Sequence, residues 1–450
     1  MPVRFRPAPR GLAGAATALA GATLTTVLLA PPAHAVPDCG AVLTADTTLT
    51  ADLLDCPGNG LVIGAKGIMV DLNGHTVDGV GLGVGISNNG FDDVTITNSA
   101  GTPGTIKDFD YGVQLNSGTL RNVVQQLTIE LNELAGVHLN NAGTNQIRNN
   151  TIRTQSNEGV MLLGGSDSNV VLSNQITGNG GEGIDVQGSA ANRIESNTIA
   201  DGGDRGVVFS GSSRNDVLSN AVTNNSDGGV VLLAASNSNT LRGNTITLSQ
   251  DASFVINDSN ANLVELNIVT DNGDAGISVL ESDNTRILSN IAHRHSDSGI
   301  AVQDAVNTEI RGNDVRFNPG GLELNSTAGG VVANNLATDV TGIGISLEDV
   351  RDADVLNNTA SSNEADGIYL VGETETGAGV LLSGNTASSN LGNGIQVAAT
   401  GHTVTGNRTD NNAAWGILVA PGTIDGGGNT ATGNGEPTQC SGVVCTASPQ

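Results

Sequence analysis

Short apolar stretches separated by polar bends recur along the chain at an almost constant interval. Aligned on the asparagine of each repeat, successive asparagines lie 22–27 residues apart, most often 23. These residues are Asn150, Asn174, Asn197, Asn220, Asn244, Asn267, Asn290, Asn313, Asn335, Asn358, Asn385, Asn407 and Asn429. A fixed interval of this length predicts a solenoid, in which each repeat packs on its neighbours.

Three short strands are predicted in each repeat. One has the pattern Gly-[Ile/Val]-x-[Val/Leu], as at 183–186, 276–279 and 299–302, and the other two flank the asparagine. Alternation of apolar and polar positions is typical of strands, and one repeat is too short for two helices with their turns. The sequence therefore predicts an all-β, right-handed parallel β-helix of about fifteen coils of ~23 residues each.

The asparagines themselves are predicted to be structural. A second asparagine lies five residues before the first in six repeats. Equivalent side chains of stacked coils are about 4.8 Å apart, so both sets of amides can form ladders along the β-helix. The second set consists of Asn145, Asn169, Asn192, Asn215, Asn239 and Asn262.

The chain is predicted to have three segments. Residues 1–35 combine arginines, an Ala-rich apolar stretch and the small-residue site Ala33-His34-Ala35, which is typical of a secretory signal peptide. We therefore expect a secreted, extracellular protein. Residues 36–434 are predicted to form the β-helix, with 36–60 as its N-terminal cap, and residues 435–450 a C-terminal tail.

Four cysteines lie in two local pairs, Cys39 with Cys56 and Cys440 with Cys445. In an exported protein they are expected to be oxidised, and pairing within each local pair is the most economical of three connectivities. A zinc site is the alternative, although no spacing matches C-x-x-C. The prediction is one disulfide in the cap and one in the tail.

Composition excludes some classes of partner. The formal net charge is −27, and the chain has 18 basic residues against 45 acidic ones. A balance this acidic disfavours nucleic acid and anionic membrane surfaces. No segment after the signal peptide has 18 uninterrupted apolar residues, so membrane insertion is not expected. We expect a monomer.

Residues 68–79, with the sequence IMVDLNGHTVDG, are followed by N-x-[IV] and GI-x-V coils. This pattern resembles the secreted pectate-lyase-like β-helix superfamily. It is most similar to repeat proteins that include the nitrous oxide reductase accessory protein and carbohydrate-binding sugar-hydrolase modules. The resemblance implies the fold for nearly all of the mature chain, and an extracellular polysaccharide as partner. Because this scaffold hosts lyases, hydrolases, epimerases, adhesins and binding proteins, it implies no single activity.

Five adjacent coils place acidic, basic and aromatic residues on one outward face. Glu158 and Glu182 are expected one strand spacing apart, where two carboxylates raise each other's pKa or recruit a cation. A carboxyl with a raised pKa can act as general acid, and His138 or Arg205 can act as a base or hold a substrate carboxylate. The predicted catalytic residues are His138, Glu158, Glu182, Asp185 and Arg205, with Tyr111 and Gln114 as substrate contacts. The alternative is a solvated polar face.

Seven residues after the repeat asparagine, five successive coils carry an aspartate. Stacked carboxylates repel one another unless water or a cation separates them, and Ca²⁺ is the predicted bridge and the one expected cofactor. The alternative is that aspartate suits this bend through local hydrogen bonds. The predicted metal ligands are Asp204, Asp227, Asp251, Asp274 and Asp297.

A third cluster lies near the C-terminal end of the predicted β-helix. It combines aromatic and polar side chains in two neighbouring columns, which suits contact with a sugar ring. The alternative is that the tryptophan covers a thin, Ala-rich interior. The predicted substrate-binding residues are Asp366, Tyr369, Asn393, Gln396 and Trp415.

Three functions are compatible with these features. The first is a secreted β-helix protein that binds an extracellular polysaccharide and, if catalytic, cleaves it as a lyase or hydrolase. The second is a non-catalytic glycan-binding or adhesion scaffold. The third, a metal-handling accessory protein, ranks last because soft and imidazole ligands are few: the chain has 3 Met and 6 His.

Overall fold

The computed structural model describes residues 37–372 and 379–448. The predicted signal peptide, residues 1–35, lies outside the described residues. The described residues form strands, turns and bends, with no helix among them. Accordingly, none of them forms a helix that is long and apolar enough to cross a membrane.

The strands follow one another in the repeating order sheet A, sheet B, sheet C, and every pairing is between strands of successive turns. Sheet A contains Ala41–Leu43, Leu61–Ile63, Val84–Asn89, Tyr111–Asn116, Ala135–Asn140, Glu158–Leu163, Ile184–Gln187, Val207–Ser210, Val230–Leu233, Phe254–Asn257, Ile277–Leu280, Ile300–Gln303, Leu322–Asn325, Ile345–Glu348, Ile368–Val371, Ile395–Val397, Ile417–Val419 and Cys440–Ser441. Sheet B contains Thr47–Thr48, Met69–Asp71, Thr95–Thr97, Val123–Gln125, Gln146–Arg148, Val170–Leu172, Arg193–Glu195, Asp216–Leu218, Thr240–Arg242, Leu263–Glu265, Arg286–Leu288, Glu309–Arg311, Val331–Ala333, Asp354–Leu356, Leu381–Ser383, Thr403–Thr405 and Ile424–Gly427. Sheet C contains Leu53–Cys56, Thr76–Gly79, Gly104–Lys107, Leu127–Glu130, Thr151–Arg153, Gln175–Thr177, Thr198–Ala200, Ala221–Thr223, Thr245–Thr247, Ile268–Thr270, Ile291–His293, Asp314–Arg316, Leu336–Thr338, Thr359–Ser361, Thr386–Ser388, Arg408–Asp410, Asn429–Thr432 and Cys445–Thr446.

The predicted parallel β-helix with three short strands per coil is confirmed, but the number of turns is larger than predicted. Sheet B has one strand per turn and 17 strands in the described residues, so the solenoid has about 17 turns rather than about fifteen. The difference comes from the first turns, where longer bends such as 49–52, 72–75 and 98–103 separate sheets B and C. These bends hide the repeat interval in the sequence.

The interior is filled by stacked aliphatic side chains, one layer per turn. In sheet C, Ile152, Ile176 and Ile199 are in register and buried. Each is the middle residue of its strand, and the two residues beside it point to the opposite face of the sheet. The equivalent position holds alanine in later turns, at Ala337 and Ala360. The C-terminal turns therefore have smaller side chains at this point of the core.

Buried amide ladders fix the bends between the sheets. Asn220 donates from its backbone N–H and from Nδ2 to Asn244 Oδ1, at 2.9 and 3.0 Å, and from Nδ2 to the Ile194 carbonyl. Its own Oδ1 accepts from the backbone N–H and Nδ2 of Asn197. The second set of asparagines forms a ladder of the same kind, as between Asn145 and Asn169. Both predicted ladders are confirmed.

A third ladder was missed by the sequence analysis. Its members lie five residues after the repeat asparagine, at the bend between sheets C and A, and the N-x₄-N spacing is the signal that could have revealed it. The ladder is continuous from Asn132 through Gln155 to Asn179 and from Asn363 through Asn390 and Asn412 to Asn434. Between these runs, Asn225, Asn272 and Asn318 accept from the backbone N–H groups of Gly202, Ser249 and His295.

A histidine occupies one position of this third ladder, and we expect it to make the stability of the fold depend on pH. His295 is 5% exposed, and within the described residues neither ring nitrogen has a partner in hydrogen-bond geometry. Burial lowers the pKa of His295 to about 4. Because the unfolded chain binds a proton that the folded chain does not, stability is lost as pH falls from about 6.5 towards 4, by about 3 kcal/mol.

Urea unfolding across this pH range tests the effect, with His295→Asn as the variant. Asparagine restores the side chain found at the equivalent positions Asn272 and Asn318, so the variant should lose this part of the pH dependence. An unchanged pH profile would show that His295 is not its source.

Disulfides close both ends of the described solenoid. Cys39 is bonded to Cys56 and Cys440 to Cys445, which confirms the predicted pairing. The two C-terminal cysteines also continue the sheets, since Cys440 pairs with Ile417 in sheet A and Cys445 with Asn429 in sheet C. The tail therefore adds strands that cover the last turn.

Candidate functional site

The outward side of sheet A brings the predicted catalytic residues together. Gln114, His138, Met161 and Asp185 are in direct register on four adjacent strands. Residues at the start of these strands lie beside this column. We call the resulting surface the acidic face, defined by Tyr111, Gln114, His138, Glu158, Glu182, Asp185 and Arg205.

An aromatic stack forms one end of the acidic face. The rings of Tyr111 and His138 lie 4.6 Å apart between centroids at an interplanar angle of 18°. His138 is 6% exposed, and burial lowers its pKa, so the ring is neutral at pH 7. Its Nδ1 lies 3.0 Å from Gln114 Nε2, and with the amide in this orientation Nδ1 accepts and the hydrogen of the neutral ring is on Nε2. This geometry makes His138 a hydrogen-bond donor rather than a base.

Asp185 is the most perturbed carboxyl group of the face. It is 4% exposed, its Oδ2 accepts from Gln187 Nε2 at 2.7 Å, and its Oδ1 has no partner among the described residues. Burial raises the pKa of Asp185 to about 6, with a further contribution from the charges of Glu182 and Glu158. Gln187 was not among the predicted site residues, although it follows Asp185 by two positions and so shares its side of the strand.

Glu158 and Glu182 lie on adjacent turns, half-buried, and both pKa values are raised. For Glu158 the causes are burial first, then the carboxylates of Glu182 and Asp204. For Glu182 they are burial first and then Asp204, partly offset by Arg205. Three carboxyl groups in one electrostatic cluster thus retain protons to higher pH than isolated ones, as acid–base chemistry requires.

Arg205 is surrounded by carboxylates. It lies 3.0 Å from Asp227, 3.5 Å from Glu182 and 3.9 Å from Asp204. Its charge is therefore already balanced within the protein. This arrangement leaves little positive potential for a substrate carboxylate.

The five aspartates of the predicted calcium seam occupy equivalent positions. Each lies three residues before a sheet A residue of one in-register column, which runs Val207, Val230, Phe254, Ile277 and Ile300. Burial and then the neighbouring Asp227 and Asp274 raise the pKa of Asp251. Within residues 37–372 and 379–448, no three His, Cys, Asp or Glu side chains are arranged to hold a metal ion. Calcium binding stays a prediction.

Thermal unfolding with Ca²⁺ and with chelator checks that prediction. A bridging ion should stabilise the folded chain by about 2.7 kcal/mol when Ca²⁺ is at about 100 times its Kd. Asp251→Asn, at the centre of the column, should reduce the shift. A melting temperature that is the same with Ca²⁺ and chelator would exclude the seam.

The C-terminal cluster is also assembled on sheet A. Asn393 Nδ2 donates to Asp366 Oδ1 at 3.2 Å and to Gln396 Oε1 at 2.7 Å, and Asn393 Oδ1 accepts from the backbone N–H of Trp415. Tyr369 is in register with Gln396 on the next strand. We call these five residues the aromatic patch.

A shallow cleft at the corner between sheets B and C was not predicted. It has a volume of about 290 Å³ and lies against the long bend 98–103, with Gln126, Thr128 and Asn149 on its other side. The irregular spacing of the first coils was the sequence signal for such a bend. Its lining is neutral and carries no acid–base pair.

Comparison with known families decides the classification. Residues 81–246 and 231–378 match the model of the family described as right handed beta helix region, which covers more than half of the chain. The chain belongs to this β-helix family. No curated protein matches the sequence significantly.

Solved structures are similar to this chain at low sequence identity and low TM-score. The Dettilon tailspike protein is 12% identical over 77% of this chain and 60% of its own, with a TM-score of 0.40. A mutant DFA-IIIase from Arthrobacter chlorophenolicus A6, in complex with DFA-III, is 13% identical over 91% of this chain and 89% of its own, with a TM-score of 0.39. The periplasmic alginate epimerase AlgG is 12% identical over 87% of this chain and 78% of its own, with a TM-score of 0.36.

Proposed function

We propose that this β-helix protein is exported, binds a polysaccharide along the outward side of sheet A and hydrolyses it at the acidic face. The observation that carries the proposal is Asp185, a buried carboxyl group with a pKa of about 6 next to two further carboxyl groups. Hydrolysis of a glycosidic bond needs a pair of carboxyl groups, one protonated and one ionised.

The roles follow from the environments of the carboxyl groups. Asp185 has the pKa that is furthest raised and is the proton donor to the leaving oxygen. Glu158, one turn away, is the second carboxyl group and in its ionised form activates water or attacks the sugar. The Tyr111 ring provides an apolar surface for a sugar, and His138 Nε2–H donates to a hydroxyl group.

A lyase reaction fits this geometry less well. Elimination from a uronic acid needs a base for a carbon-bound proton and a cation that neutralises the substrate carboxylate. His138 presents a donor, and Arg205 is paired with Glu182 and Asp227. Hydrolysis is therefore the reaction that the acidic face supports best.

A polysaccharide panel tests the proposal. Release of reducing ends and absorbance of unsaturated products are measured on neutral, anionic and amino-sugar polymers. We expect new reducing ends without unsaturated products. Unsaturated products would establish a lyase and overturn the proposed reaction.

A non-catalytic glycan-binding role is the second candidate, and the aromatic patch supports it. Its amide network contacts the Trp415 backbone, and Tyr369 lies two turns away, in register with Gln396, on the same sheet as the acidic face. Binding that is lost in Trp415→Ala, with no cleavage of any polymer, would favour this role. The two disulfides agree with an oxidising, extracytoplasmic location.

A further inference from the structure

The charge of the acidic face restricts the kind of sugar that it can hold. The carboxylates at or beside the face outnumber its single guanidinium, that of Arg205. These carboxyl groups are Asp110, Glu158, Glu182, Asp185, Asp204 and Asp227. The carboxylates of an anionic substrate would be repelled by the carboxylates of the acidic face, and none of the described contacts offers a cation to offset this repulsion.

The ion pairs of Arg205 leave the acidic face without a free cation for an anionic sugar. Arg205 is bound by Asp227 and Glu182, and burial together with neighbouring carboxylates, Asp204 among them, raises the pKa values of Glu158 and Glu182. A raised carboxyl pKa means that the ionised form is poorly compensated by its surroundings. A positively charged ligand group supplies the missing compensation.

Asp185 gives an independent indication that a ligand completes this site. Its Oδ1 is buried and has no hydrogen-bond partner among the described residues, although Asp185 points to the outward side of sheet A. Such an unpartnered oxygen is unfavourable in a folded protein, and a ligand group that reaches it removes the penalty. In the proposed reaction, the ligand atom that reaches Asp185 Oδ1 is the glycosidic oxygen next to a charged sugar.

We propose that the acidic face takes a polysaccharide of amino sugars, whose free ammonium groups pair with Glu158 and Glu182 on adjacent turns. This inference rests on the proposed function and names its substrate class. An ammonium group has three N–H donors and forms charge-assisted bonds to carboxylates. Two half-buried carboxylates on neighbouring turns can share one such group, while the Tyr111 ring contacts the apolar side of the sugar.

Calorimetric binding of three probes of equal length tests the proposal. The probes are hexamers of β-1,4-linked glucosamine, of the same sugar fully N-acetylated, and of β-1,4-linked mannuronate. At about pH 5.5, where an amine is protonated, the glucosamine hexamer should bind at least about tenfold more tightly than either other probe. Raising the salt concentration should reduce this preference because the attraction is electrostatic.

Matched variants identify the groups responsible. Glu158→Gln and Glu182→Gln should each weaken binding of the glucosamine hexamer about tenfold while affecting the acetylated hexamer little. Asp354→Asn removes one exposed carboxylate from sheet B and should change nothing. Both glutamine variants remove half-buried carboxylates whose pKa values are raised, so their melting temperatures should not fall, and this measurement shows that they are folded.

The outcomes separate this inference from the proposed function. If the acetylated hexamer binds equally well or better and is cleaved, the hydrolase proposal stands and the amino-sugar inference is wrong. Tightest binding of the mannuronate hexamer also overturns the inference. If none of the three binds and the polysaccharide panel shows no cleavage, both proposals are wrong.

Discussion

Asp185→Asn is expected to lower kcat/KM for the cleaved polysaccharide by about 10²- to 10⁴-fold, the usual contribution of a general acid. The amide cannot deliver a proton, but it can keep the hydrogen bond from Gln187 that now reaches Oδ2. Glu158→Gln should cause a loss of similar size because it removes the base. Full activity in Asp185→Asn, Glu158→Gln and Glu182→Gln would show that catalysis occurs elsewhere.

The same substitution should have the opposite effect on stability. The pKa of Asp185 is raised to about 6 in the folded chain, so the folded state holds a proton that the unfolded state releases. This contribution is present below the unfolded pKa of about 3.9 and is lost as pH rises through about 6. At pH 7 Asp185→Asn should therefore stabilise the fold by about 2–3 kcal/mol in urea unfolding. A variant that is both less active and less stable would instead indicate structural damage.

The pH profile of the unmodified protein gives a further readout of this role. Because kcat/KM reports ionisation in the free enzyme, activity should fall about tenfold per pH unit above about pH 6 as Asp185 loses its proton. Asp354→Asn, on sheet B, provides the matched control and should keep both the rate and the profile. A flat profile between pH 6 and about 8 would contradict the assignment of Asp185 as acid.

Replacing Asn220 by alanine is expected to destabilise the fold by about 3–6 kcal/mol. The substitution leaves the Ile194 carbonyl, the Asn197 backbone N–H and part of the Asn197 amide without their buried partners. Each such group costs about 1–3 kcal/mol when it stays buried and unpaired. Chemical unfolding with linear extrapolation measures the change.

Asn260→Ala is the matched control for the ladder. Asn260 is exposed, and its Oδ1 accepts from the backbone N–H of Asp283 at the surface, where water can replace the lost partner. The expected cost is below about 1 kcal/mol. Equal losses from both variants would mean that the buried ladder contributes no more than a surface hydrogen bond.

The position of the candidate site could be read from the sequence because the repeat fixes which residues stack. Counting from the glycine of each sheet A strand correctly placed His138 and Asp185 in one column and Glu158 beside Glu182. It also placed the aspartates of the predicted seam in equivalent positions. The count of turns was too low because the long bends near the N-terminus obscure the interval.

The chemical state of the site could not be read in this way. Nothing in the repeat indicates that Gln114 fixes the hydrogen of His138 on Nε2, or that Asp227 from the next turn balances Arg205. The raised pKa of Asp185 results from burial by neighbouring turns, and burial depends on the side chains of several coils at once. His295 is another example, since its sequence neighbours are polar although its ring is buried and has no hydrogen-bond partner among the described residues.

The sequence by itself determined the solenoid, the three strands of each coil and the outward columns of side chains. These are consequences of local alternation and of a nearly constant repeat, which each coil carries within its own residues. Only the tertiary structure decided which carboxyl groups hold protons, which cation is already paired and which amides form the third ladder. Those properties depend on contacts between turns about 23 residues apart, and the free energy of a buried charge is set by all the groups around it.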